Sequence, residues 1–308
     1  MSAKIQPKQQ AGPPGPETRD LQVSRIERIL VALDREGARG VLDKAVMLAR
    51  AFRARLELFL CDAEHAYIQQ HQYDPGRAEI ARGACLAEAR RFLESLRGSS
   101  ALEDVPVAID VACESPLYMG IVRKVERSAP DLVVRGVSGR EGRQFGASDW
   151  DLARSCPAPL LLTRGNPWSA QPLIAAAVDV AAEESPELTR AILRAAKAFA
   201  EAGRGTLEVL HAGQFYHAPQ VLAAHRLKLE ERAREAGVAP SAIHLVDGEP
   251  AIMLTEFATA RHYDLIVLGA LAHRPTLPGV LGTLTGRLLE TIDNDFLLVN
   301  PAPKAAGH

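Results

Sequence analysis

Two aspartates each close a short apolar run: Ile29-Leu-Val-Ala-Leu-Asp34 in the first half of the chain, and Leu173 to Asp179 in the second. A carboxylate at such a place can anchor a ligand hydroxyl or act as a general base. No matched acid, nucleophile or metal cluster accompanies either one, so anchoring or turn-making is the reading the residues support. The second half adds a stretch suited to an anion: Gly269-Ala-Leu-Ala272, nine further residues, then Gly282-Thr283 opening a helical segment that runs from Leu284 to Ile292. Gly269 lets the backbone leave a strand sharply and admits a ligand where a Cβ would stand. The unpaired N–H groups and positive dipole end of a helix start favour phosphate. Thr283 adds a hydroxyl donor, and Arg274 in the intervening loop supplies charge.

The elements that must hold these residues alternate in type. Apolar runs of strand length begin at Ile29, Leu56, Val105, Asp131 and Pro159, separated by segments of helical period such as Val41–Phe52 and Ile80–Leu96. Continuous apolar runs are what strands covered on both faces require. The second half repeats this order: Leu173, Thr206, Ala242, Asp264 and Phe296 open the runs, and Leu188–Phe199 and Val221–Ala236 are helical. Asp131-Leu-Val-Val-Arg-Gly136 and Asp264-Leu-Ile-Val-Leu-Gly269 match closely, and the turn-rich Arg164 to Pro172 lies between the halves. Strand–helix alternation calls for right-handed crossovers and a parallel sheet. The expected fold is therefore α/β: two tandem doubly wound domains, residues 25–165 and 172–301, each a five-stranded parallel sheet in the order 3-2-1-4-5 with flanking helices. Residues 1–24, with Pro13-Pro14-Gly15-Pro16, read as a disordered lead-in, and 302–308 as a tail. In such sheets ligands sit beyond the carboxyl ends of the first and fourth strands, where the order reverses.

Composition narrows the class. With 36 basic and 38 acidic residues the net charge is -2, so nucleic acid and anionic membranes gain no general attraction. No apolar stretch reaches the roughly 18 residues of a membrane span. Cys61, Cys85, Cys113 and Cys156 form no C-x-x-C pair, which argues against a disulfide framework or zinc knuckle and fits buried thiols in a reducing, cytoplasmic compartment. His211, His217 and His225 match no standard ligand spacing, and His65 and His71 read as solvent-facing loop residues. No Walker-type, dinucleotide or nucleophile-elbow motif occurs.

The glycine spacing, Asp179, Gly248-Glu-Pro250 before a helix, and His211-Ala212 at a strand end together resemble the universal stress protein family, from about Arg25 to Pro301. Asp149-Trp-Asp-Leu-Ala-Arg-Ser-Cys-Pro-Ala-Pro159 with Pro167-Trp168 is similar to its bacterial E-type tandem subgroup. The resemblance implies a stress-response binding protein with no dedicated catalytic role, taking ATP or another adenine nucleotide, with no cofactor required. It implies that Asp179 and the backbone near Ala212 meet adenosine, and that Gly269, Gly282, Thr283 and Leu284 line the phosphates. Ala272 stands where the family has a glycine. In the first half Gly136 and Gly139 are present, but Asp149-Trp150 replaces the distal Gly-Ser, and a carboxylate there repels phosphate. Because family members pair through the fifth strand, Leu160–Thr163 and Phe296–Asn300 are expected to join as an internal pseudo-dimer; a further homodimer is left open. Two rivals stand beside this reading: an interaction scaffold with closed pockets, and an adenylating or pyrophosphatase enzyme.

Overall fold

A computed structural model of the chain describes residues 25–70, 74–137, 145–180, 185–214, 218–270 and 283–300. The expected terminal segments, 1–24 and 302–308, lie outside these, as do His71, His217, Ala272, Arg274 and Gly282. In the first repeat the strands are β1 (Arg28–Leu33), β2 (Arg55–Cys61), β3 (Val107–Ala112), β4 (Leu132–Gly136) and β5 (Leu160–Thr163). Its helices are α1 (Ala38–Phe52), α2 (Ala63–Gln70), α3 (Pro75–Arg97), α4 (Leu117–Ser128) and α5 (Ala147–Ser155). The second repeat supplies β6 (Leu173–Ala177), β7 (Thr206–Gly213), β8 (Ala242–Asp247), β9 (Leu265–Gly269) and β10 (Asp295–Val299). Between them run α6 (Pro186–Gly203), α7 (Pro219–Glu235), α8 (Pro250–Arg261) and α9 (Thr283–Thr291).

Each repeat has the expected strand order, and the two arrays join through their fifth strands, as expected. They form one ten-stranded sheet, β3-β2-β1-β4-β5-β10-β9-β6-β7-β8. Every neighbouring pair is parallel except the central one, where β10 runs antiparallel to β5 with Phe296 opposite Leu162 and Leu298 opposite Leu160. The fifth strands therefore cover each other's edges, which would otherwise present unpaired backbone groups. A difference from expectation is α2, a short helix over residues taken as loop; His65 sits on it.

The duplication extends to conformational detail. Asp131 accepts hydrogen bonds from the backbone N–H groups of Glu27 and Arg28 at 3.0 and 2.9 Å, and Asp264 accepts from that of Leu173 at 2.9 Å. In both repeats, then, the aspartate ahead of the fourth strand clips the start of the first. Helices α1, α4, α6 and α8 end on Arg53, Ala129, Arg204 and His262, all left-handed. This conformation frees each cap N–H to reach a carbonyl of the last turn. Aliphatic layers cover the sheet on both faces, one with α1 and α6, the other with α4, α5, α8 and α9. Small side chains on α6 (Ala191, Ala195, Ala196) let that helix lie close to the sheet, and Phe199 meets Phe52 of α1 edge-on with ring centroids 5.1 Å apart.

One carboxylate ties the repeats together. Asp295, at the start of β10, is buried and faces the Lys44 ammonium at 3.0 Å. It also accepts from Thr163 Oγ1 (3.1 Å), the Arg164 backbone N–H (2.9 Å) and Trp168 Nε1 (2.8 Å). Lys44 donates to the Asn166 carbonyl at 2.7 Å, and its charge lies 4.3 Å from the Trp168 ring centre. Burial pulls the Lys44 pKa down, against the opposing pull of Asp295. Removing one partner from such a pair strands a buried charge, at a cost of about 3–5 kcal/mol. Asp295→Asn is expected to lower unfolding free energy by that order, and Lys44→Met in the same background to recover part of it; urea titrations of the single and double variants check this.

Glu208, buried near the start of β7, accepts a hydrogen bond from Tyr263 Oη at 2.6 Å, faces His244 Nε2 at 3.1 Å and is ion-paired with Arg261. Burial works against its charge, but the hydrogen bonds from Tyr263 and Arg261 and the nearby His244 outweigh it, holding the carboxyl below its ordinary value of 4.5. A depressed acid contributes stability above its unfolded pKa and loses it as pH falls through the folded one. Unfolding midpoints are therefore expected to drop as pH falls below 4.5, and to drop less in Glu208→Gln.

Candidate functional site

The strand order reverses between β1 and β4 in the first repeat, and between β6 and β9 in the second. The crevices beyond those strand ends are where parallel α/β sheets bind ligands. A cleft of about 350 Å³ lined by Trp168, His262, Asp264 and Asp293 lies at the other end of β9 and β10, against the linker. The strand-end geometry makes it part of the inter-repeat junction and not of the crevices.

The two crevices differ sharply. In the first, Arg135 of β4 stands in an otherwise apolar run and is fully buried. One of its terminal nitrogens lies 2.6 Å from the Asp34 carboxylate, as an ion pair outside hydrogen-bond alignment. Its Nε reaches Asp149 at 3.4 Å, and Nη1 reaches the Ala32 carbonyl at 3.4 Å. Asp149 is itself buried, in the first turn of α5, and accepts the Gly146 backbone N–H at 3.0 Å. The carboxylate that sequence reasoning set against phosphate thus occupies a helix start, as an anion would, and a cation from within the fold neutralises it. Asp34 is one arm of this bridge.

In the second crevice Leu268 stands where Arg135 stands in the first, and Gly282 keeps the spacing of Asp149. Asp179 follows β6 with its side chain half exposed. Its surroundings are braced. The Val178 carbonyl can only accept, so the His211 Nδ1–H donates to it at 3.0 Å, and His211 Nε2 is left to accept from His225 Nδ1 at 2.8 Å. Burial lowers the His211 pKa, which keeps the ring neutral in this role. Lys228 of α7 donates to the Val180 carbonyl. The stretch carrying Asp179 is therefore held on both sides by side chains of β7 and α7. Ala212, next to His211 in β7, is buried. Thr283 opens α9, and Thr285 one turn on donates to the Gly269 carbonyl at 2.9 Å, tying the helix start to the end of β9.

The structure brings Asp179, Ala212, Gly269 and the start of α9 at Thr283 and Leu284 to the carboxyl end of one repeat; Ala272 and Gly282 fall outside the described residues. It also corrects the reason for Gly269: a Cβ there would meet Leu188 Cδ2 at 2.9 Å, as one on Gly136 would meet Val41 Cγ2 at 2.5 Å. Both glycines let the first helix of their repeat pack on the strand. Sequence reasoning missed Arg135 and Lys228, and weighed His225 only as a metal ligand, not as a partner of His211. A charge inside an apolar strand, set against Leu268 in the matching run, was the available signal for the first. The other two lie on a helix whose period carries no such mark.

These features define a class: a duplicated doubly wound α/β protein in which the crevice of one repeat is bridged by its own side chains. The comparisons with known proteins go further. The profile described as Universal stress protein family matches residues 25–164 and 174–300, and the chain belongs to that family. It is similar to Universal stress protein E of Escherichia coli K12, 20% identical over 302 residues that cover 91% of this chain and 95% of the relative. A Universal stress protein E homolog of Haemophilus influenzae is 23% identical over 60% of this chain and 66% of its own length. Among solved structures, a universal stress protein from Archaeoglobus fulgidus DSM 4304 superposes with a TM-score of 0.70 at 12% identity, covering 92% of this chain and all of that one. A protein of unknown function from Pseudomonas aeruginosa PAO1 gives 0.69 at 21% identity, covering 91% and 94%. Among the described residues no helix is long and apolar enough to cross a membrane.

The bridge in the first crevice is open to a double-mutant test. Arg135→Leu leaves Asp149 buried without its cation and is expected to cost about 3 kcal/mol or more. Arg135→Leu with Asp149→Gly, which imitates the second repeat, should cost less than Arg135→Leu alone; denaturant midpoints of the two variants decide it.

Proposed function

We propose that this protein is a stress-response binding protein that holds an adenine nucleotide in the crevice of its second repeat and carries no dedicated catalytic centre. The observation that carries this reading is the contrast between the crevices: the Arg135–Asp149–Asp34 bridge fills the phosphate end of one, and the other has Leu268 and Gly282 at the matching positions. A helix start next to a glycine-ended strand suits an oligophosphate. In this reading Asp179 accepts from the ribose hydroxyls and the backbone at Ala212 meets the adenine edge. Gly269, Ala272, Gly282, Thr283 and Leu284 line the phosphates. The brace of His211, His225 and Lys228 supports the reading, since it positions Asp179 before any ligand arrives and so spares the ordering cost of binding. Occupancy would shift stability or partner binding through the affinity difference between states. Four buried free cysteines suit a reducing, cytoplasmic setting.

Calorimetric titration with ATP and magnesium is the test. Binding is expected in the wild type and in Arg135→Leu/Asp149→Gly, and is expected to be lost in Gly282→Val/Thr283→Ala. Ala272→Gly should tighten it by up to about tenfold, the equivalent of one removed backbone penalty of about 1–2 kcal/mol. No heat at millimolar ATP would favour the scaffold reading, to which the bridged first crevice already lends support. Rapid ATP turnover lost in Asp179→Ala would overturn the non-enzymatic part.

A further inference from the structure

Beside the first crevice, and sharing none of the residues of its bridge, donor atoms typical of transition-metal sites converge at the carboxyl end of β2. Asp62 follows that strand, His65 lies three residues on in α2, and Cys85 comes from the middle of α3. A carboxylate oxygen, His65 Nδ1 and Cys85 Sγ all lie within 4.8 Å of one another. His65 Nδ1 is 3.0 and 3.1 Å from the two oxygens of Asp62. The Cys85 thiol makes hydrogen-bond contacts with Asp62 and with Cys113, just beyond β3. Two sulfurs, one nitrogen and one oxygen thus come from three separate segments of chain.

Two further observations point the same way. The donors form a pocket with one open side: Asp62, Cys85 and Cys113 are at most 9% exposed, whereas the His65 ring is 54% exposed. Cys85, Cys113 and Ala66 also make up a small apolar cluster of their own, detached from both main layers. A metal ion would staple α2 and α3 to the strand ends at this small cluster. The charges balance as well. Two thiolates and one carboxylate around a divalent ion leave a net single negative charge, and Arg35 stands 4.0 Å from Asp62, with Arg82 near Cys113.

We infer that Asp62, His65, Cys85 and Cys113 form a binding site for a zinc-class divalent ion. Sulfur donors exclude calcium and magnesium, which take oxygen, and a mixed S, N, O set of four is that of tetrahedral zinc. Donors bonded at about 2.0–2.3 Å in a tetrahedron stand roughly 3.3–3.8 Å apart, so small side-chain rotations bring Asp62, His65 and Cys85 onto the ion, and Cys113, in contact with Cys85 alone of these three, has to swing in as the fourth donor. Loading converts two thiols to thiolates and releases their two protons to solvent. The site is independent of the nucleotide reading, being built from first-repeat residues that the second crevice does not use.

The full chain, stripped with a chelator under reducing conditions and dialysed against zinc or cobalt(II), tests this. Zinc is expected to bind at one equivalent per chain by elemental analysis. The cobalt form should show near-ultraviolet thiolate-to-metal bands, about halved in Cys113→Ser and absent in Cys85→Ser/Cys113→Ser. His65→Ala should weaken zinc affinity at least tenfold with an unchanged circular dichroism spectrum, and Cys61→Ser and Cys156→Ser should leave binding as it is. Failure to take up zinc, cobalt spectra without thiolate bands, bands indifferent to Cys85→Ser, or oxidation of Cys85 to Cys113 with no metal uptake would each overturn the assignment.

Discussion

The junction at Asp295 is the constraint on which the rest of the molecule depends. Two sheets meeting edge to edge gain only a few backbone hydrogen bonds from a short antiparallel pair, and the register of β5 against β10 involves three residues on each side. The buried carboxylate turns that seam into a fixed joint. It takes a hydroxyl and a backbone N–H from the end of β5, an indole N–H from the linker and an ammonium from α1, so four groups from three parts of the chain converge on one residue of the second repeat. Low local polarity makes each contact stronger and makes any missing one expensive. Trp168, which marks the E-type tandem subgroup in sequence, has its physical explanation here: its ring covers the Lys44 charge and its N–H holds the carboxylate.

Duplication followed by divergence explains the contrast between the crevices. Both repeats keep what the fold needs: the aspartate clip ahead of the fourth strand, left-handed helix ends, and a glycine where the first helix touches the fourth strand. They part where a ligand would sit. Arg135 and Asp149 satisfy each other inside the first repeat, with Asp34 as a second anion on Arg135, and Asp149 without that cation would be a costly buried charge.

Much of the fold was legible because strand and helix periods are local signals. The runs beginning at Ile29, Leu56, Asp131, Thr206 and Asp264 all became strands within a residue or two, and the matched Asp131 and Asp264 runs announced the repeat. The union of the sheets was harder to read in residues alone; the family resemblance suggested the pairing of the fifth strands, but Lys44 and Asp295 lie too far apart in the chain for spacing to join them. Arg135 carried a signal that went unused: a charge in a run buried on both faces needs a partner, and Asp149 lay ahead of it. His225 and Lys228 of α7 offered none, for polar residues on an exposed helix face are ordinary. Gly269 was read for the right position and the wrong neighbour, because spacing shows that a side chain is missing without showing what fills the room.

The antiparallel seam has a geometric corollary. All strands of the first repeat run one way and all strands of the second run the other, so their carboxyl ends point to opposite poles of the molecule. The bridged crevice and the glycine-ended one therefore open at opposite ends of a single sheet, with the full length of the strands between them.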